Sequence, residues 1–319
     1  MNYHRMHLVE KLQVQVSGFA GMAIVYFALW RLFEPANPHA PFVLLVAGGL
    51  RQMFLLVALI IAVAAFGAAF LAKSRPHVVL LASLLTALGV SLRSPMMRGL
   101  FWSTSRSGIA LYWPMIAELL ILAATLVVAA AIIDIIRKKM SRALPNAAWV
   151  DPLAGIDAQK LAKVGESWAA SPAHGGLIIS KAAFKVGSWR PLAAGALTLA
   201  GGLVLLRVTL QSSDRGQIIF ALLASFGIAA MAVNQLMPAR CTMLIWISPV
   251  IAAVLLYLLA AAAPIPATAN GWINYPVYGR ITPLDWITAG CGGAIAGCWI
   301  SARMHESRIA EKLSELPGR

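Results

Sequence analysis

Eight separate stretches of mostly apolar residues, each about 20 long, decide what this chain can fold into. A stretch of that length crosses the hydrocarbon core of a bilayer as a helix. In hydrocarbon every backbone amide must find its partner inside its own segment or in a closed barrel. These runs are too long and too continuous for barrel strands. The class read from them is an all-α, polytopic helical membrane protein. Its spans are expected at 16–33, 51–72, 77–93, 112–136, 191–210, 216–237, 242–263 and 284–302. A short apolar piece before the second span, 41–50, is interrupted by Gly48 and Gly49 and is read as interfacial or re-entrant.

Composition agrees. Residues are 60% hydrophobic and only 12% charged, against about 25% charged in an ordinary soluble domain. The net charge of +14 does not point to nucleic acid. Basic residues of membrane proteins gather on the cytoplasmic side for topological reasons, and no Lys/Arg block with interleaved aromatics occurs here.

Counting Lys and Arg by loop orients the chain. With both termini inside, the inner segments hold 18 of the 26 basic residues. All nine lysines fall on that side. The outer side carries arginine only: Arg31, Arg51, Arg93, Arg98, Arg106, Arg207, Arg215 and Arg280. Five of these (Arg31, Arg51, Arg93, Arg207 and Arg215) stand at the ends of five different spans. Such side chains can snorkel to lipid phosphates. They can also converge on an anionic group, which the planar guanidinium grips in two places.

The organisation expected is a first transmembrane half over 1–140, a basic cytoplasmic linker over 141–190, and a second half over 191–319 with a short charged tail. Each half starts and ends inside, as a parallel duplication requires. Each also puts an aromatic outer segment between its third and fourth spans, with Arg106 ahead of Trp113 and Arg280 ahead of Trp286. The linker is read as attracted to anionic lipid, or as a docking surface for a protein partner.

Glu118 is the acid that stands out. It lies about 6 Å deeper than Pro114, past the interfacial pair Tyr112 and Trp113. An intramembrane acid is a functional candidate, either paired with an outer arginine or carrying a proton or cation. Asp285, beside Pro283 and Trp286, reads as an ordinary helix start. Gly293 and Gly297 form a GxxxG pair that lets another helix approach closely. Cys241, Cys291 and Cys298 read as small packing residues, without zinc or redox spacing.

No metal site and no cofactor is expected. The six histidines (His4, His7, His39, His77, His174 and His305) sit in tails, loops or span edges, so no buried haem pair is readable. Walker A, HExxH and GxSxG motifs are absent. The function expected is transport or lipid handling in a bacterial cytoplasmic membrane. Glu118, Arg93, Arg98, Arg106, Arg207 and Arg280 would form an outer-face site for an anionic small molecule or lipid headgroup. The alternative is a non-catalytic membrane subunit of a larger complex. A lipid-linked transferase is disfavoured, because only Glu34, Glu118, Asp214 and Asp285 supply acids on the outer side.

Overall fold

The computed structural model describes residues 3–34, 41–47, 49–70, 76–97, 100–101, 108–143, 189–237, 243–263 and 275–315. Arg98, Arg106, Cys241 and nearly all of the 141–190 linker lie outside the described residues. Among the described residues all regular structure is helical.

The chain begins with α1 (Tyr3–Ile24), passes through a π-helical turn (Val25–Leu29) and ends that span as α2 (Trp30–Phe33). A four-residue helix, α3 (Leu44–Ala47), precedes α4 (Leu50–Phe70). Then come α5 (Pro76–Arg93) and α6 (Ile109–Ala143). The second half contains α7 (Arg190–Thr209), α8 (Arg215–Leu236) and α9 (Met243–Ala262). The last span starts at a single turn (Pro283–Asp285), runs through a π-helical stretch (Trp286–Cys291) and continues as α10 (Gly292–Glu315).

Among the described residues seven helices are long and apolar enough to cross a membrane: Gln15–Phe33, Leu50–Phe70, Pro76–Arg93, Ile109–Met140, Arg190–Thr209, Arg215–Leu236 and Met243–Ala262. They coincide within a few residues with seven of the eight expected spans. The eighth, at 284–302, is also helical throughout, but its run continues into the charged tail. The protein is therefore an integral, multi-pass, all-α membrane protein. The fourth span is longer than expected. At 1.5 Å per residue α6 is about 52 Å long, well beyond a hydrocarbon core of about 30 Å. Its excess places the basic run Arg137, Lys138 and Lys139 near the C-terminal end of the helix.

Burial explains the arrangement. Along α5, Val78, Val79, Leu80, Leu84, Ala87 and Val90 are all inaccessible, so this helix is buried on every face. Such a helix belongs at the centre of a bundle. In contrast α4, α7 and the described side chains of α1 leave most of their apolar residues at least partly exposed, which suits lipid. Each half pairs its first span with its third and its second with its fourth. The halves differ elsewhere: α7 also packs closely on α8, whereas in the first half it is α4 and α5 that pack together. The halves meet through α6 against α9 and α5 against the π-helical stretch.

The most extensive helix pair is α8 with α10. A Cβ at Gly293 would come within 2.5 Å of the Leu223 carbonyl oxygen, and one at Gly297 would collide with that of Gly227. The GxxxG face is thus occupied within the chain, with backbone against backbone.

The piece at 41–47 is folded into the protein. Phe42, Val43 and Leu44 are fully buried, and the Phe42 amide donates to Ser94 Oγ at 2.7 Å. Non-helical backbone survives at membrane depth only where protein or a cavity satisfies it. Here α5 and α6 supply the partners.

Candidate functional site

One end of the bundle gathers the polar chemistry. The C-terminal ends of α5, α7 and α9 meet the N-terminal ends of α6, α8 and the last span there. This is the arginine-only end of the sequence.

Asp285 forms its centre. Thr282 Oγ1 donates to Asp285 Oδ2 at 2.7 Å, and the Thr282 amide donates to the same oxygen at 3.0 Å. The Asp285 amide donates back to Thr282 Oγ1, completing a capping box that starts the last helix. Arg215 then grips the carboxylate in a fork, with Nη1 at 3.0 Å from Oδ2 and Nη2 at 2.7 Å from Oδ1. Its Nε donates to the Ser91 carbonyl oxygen at 2.7 Å, and Ser91 Oγ donates to Asp285 Oδ1. Asp285 is completely buried and the Arg215 side chain nearly so. Three elements, α5, α8 and the last span, are tied by one carboxylate. Of the two readings for the span-end arginines, lipid phosphates or an anionic group, Arg215 fits the second with the anion supplied by the chain itself: it points inward to Asp285. The ordinary helix start expected at Asp285 is there, together with an ion pair that local sequence does not reveal.

The described parts of the two aromatic segments, around 108–112 and 275–281, meet each other. Tyr112 Oη donates to the Gly279 carbonyl oxygen at 3.1 Å, and the Gly108 amide donates to Tyr275 Oη at 3.2 Å. Gly108 has φ +53°, a left-handed turn that suits glycine. Tyr112 stacks on Tyr257 and meets Tyr275 edge-on, in both cases with ring centroids 5.6 Å apart. Tyr257 Oη donates to the Ile281 carbonyl oxygen at 2.6 Å. Tyrosines thereby hold the 275–281 segment against α6 and α9.

The remaining outer arginines have separate surroundings. Arg93 is exposed; its Nη1 donates to the Tyr26 carbonyl oxygen at 2.6 Å and its guanidinium lies 5.3 Å from the Tyr26 ring and 5.6 Å from that of Trp30. Arg280 donates from Nε to the Tyr275 carbonyl oxygen at 2.9 Å and reaches Ser213 Oγ at 3.4 Å. Arg207 is exposed and has no hydrogen bond or ion pair among the described residues.

Arg207 borders a cleft of about 940 Å³ between the ends of α7 and α9, lined also by Pro276, Val277 and Tyr278. Leu203, Leu206, Leu256 and Leu259 form its walls. Val208 and Leu259 of its lining, and Val204 and Leu255 beside it, are exposed, an apolar surface that suits lipid.

Glu118 lies apart from these arginines. Its side chain is completely buried. Oε2 accepts from the Leu45 amide at 3.1 Å, on the first turn of α3. Oε1 is buried with no hydrogen-bond partner among the described residues. No arginine described forms an ion pair with it.

Among the described residues no group of three His, Cys, Asp or Glu side chains is placed to hold a metal ion. No protein-family model matches the chain, and neither a curated protein nor a solved structure matches it. The functional reading therefore rests on the residues themselves.

Proposed function

We propose that this membrane protein handles lipids, and that its working surface is the cleft beside Arg207. The observation that carries the reading is an exposed guanidinium, unpaired among the described residues, at the rim of a cleft with apolar walls and exposed apolar neighbours. A water-soluble anion has no use for leucine walls. A phospholipid fits both parts: its acyl chain lies along Leu203, Leu206, Leu256 and Leu259, and its phosphate meets Arg207 at headgroup level. Gln211 and Tyr278 flank that position with further donors. On the charge count, the cleft faces the outer leaflet of a bacterial cytoplasmic membrane.

Arg93 and Arg280, with Arg98 and Arg106, then serve as the wider positive rim that draws anionic headgroups towards this end. The reading needs no covalent chemistry from the protein.

Thermal stability of the purified protein in mixed micelles tests this reading. Phosphatidylglycerol should raise Tm more than phosphatidylcholine of the same acyl chains. Arg207→Ala should remove that difference, and Leu203→Trp, which fills the cleft, should reduce the response to both lipids. Equal stabilisation by the two lipids, unchanged in Arg207→Ala, would overturn the proposal. A second chain that stays bound through purification would instead favour a subunit role.

A further inference from the structure

Glu118 takes no part in the lipid cleft, and its surroundings pose a separate chemical question. It sits nine residues into α6, about 14 Å along the helix from Ile109. One carboxyl oxygen accepts from the Leu45 amide, and the other is buried with no hydrogen-bond partner among the described residues. A bare carboxylate in such a place lacks both solvent and a counter-ion, and its burial is far more costly than that of a neutral acid.

Among the described residues, the elements packed around α6 supply no compensating charge. The described side chains of α3 are apolar. From α4, Arg51 is exposed to the outside. From α5, Arg93 is engaged by Tyr26, while Ser94 receives the Phe42 amide and Ser91 serves Asp285. From α9, the Tyr257 hydroxyl donates to Ile281. The Pro283–Asp285 turn brings Asp285, whose charge is already met by Arg215. The π-helical stretch brings Thr288, which donates to Leu284, and the buried thiol of Cys291.

We propose that Glu118 is a proton-binding site, held as the neutral acid by the closed packing of residues 41–47 on α6. The ligand is a proton, and the site comprises the Glu118 carboxyl and the Leu45 amide. Loss of the proton would leave a carboxylate that needs water or a cation at Oε1. That requires the 41–47 segment to move away from α6. Proton release and opening of this break in the helical structure are thereby one event. The position suits such coupling, because the Leu45 amide lies in the first turn of α3, where amides lack a partner within their own helix.

Reaction with carbodiimides tests this without requiring knowledge of a transported substrate. The full chain in lipid nanodiscs at neutral pH is treated with the apolar dicyclohexylcarbodiimide or with a water-soluble carbodiimide. Adducts are located by peptide mass mapping. A carboxylic acid in an apolar site adds to the apolar reagent, so Glu118 should be modified by it and spared by the soluble one. Glu118→Gln should lose the adduct while eluting as a folded protein, and Glu118→Asp should retain an adduct at the same position. Replacing choline chloride with sodium chloride should leave the labelling unchanged. Protection by sodium would make the ligand a metal cation and overturn the proposal. So would an unmodified Glu118, or equal modification by both reagents. None of these outcomes depends on Arg207 or on lipid selectivity, so failure here is distinct from failure of the lipid reading.

Discussion

Two buried acids stand near the same end of this bundle, and they are built in opposite ways. Asp285 has every lone pair spoken for: a capping box, a serine and a bidentate arginine surround it. Glu118 has one amide donor and an oxygen with none among the described residues. Full satisfaction fixes one arrangement of side chains and suits an anchor. A half-satisfied acid suits a group that changes state. Burial alone does not distinguish the two roles. The partner inventory does.

Substitutions at the two acids should separate them. The largest effect belongs to Asp285→Ala. It strands the largely buried Arg215 and should cost about 3–5 kcal/mol, measured by denaturation in micelles. Replacing both partners, Arg215→Met with Asp285→Leu, should recover much of that loss, because no unpaired charge remains. Next is Gly297→Leu, which drives a side chain into the Gly227 carbonyl and should cost about 1–3 kcal/mol or more through overpacking. Glu118→Gln comes third. A glutamine oxygen can still accept from Leu45, so stability should change by no more than about 1 kcal/mol. A loss as large as that of Asp285→Ala would remove the contrast. The smallest effect is that of Arg207→Ala. In lipid-free detergent it should stay within about 0.5 kcal/mol, as for other exposed sites. Its consequence should appear only when anionic lipid is added.

The same contrast shows what could be read from residues alone. Runs of apolar residues marked the spans, because bilayer thickness and backbone pairing leave few alternatives. Glu118 was legible as an acid inside such a run. The Gly293–Gly297 face was legible as a close-packing surface, though not its partner on α8. What sequence could not supply was pairing between distant segments. Arg215 and Asp285 are 70 residues apart, and each looks locally like an interfacial residue. Likewise nothing near Leu45 announces that its amide will meet a carboxyl 73 residues later. The lipid cleft is hidden for a similar reason. Its walls are ordinary leucines, and only the meeting of α7, α9 and the 276–278 segment makes a cavity of them.

The difference between the acids can be observed most directly by infrared spectroscopy of the protein in nanodiscs at neutral pH. The account predicts a neutral-carboxyl C=O band that Glu118→Gln removes and that an Arg215→Met, Asp285→Leu double variant retains. Absence of that band in the unaltered protein, or its survival in Glu118→Gln, would contradict it.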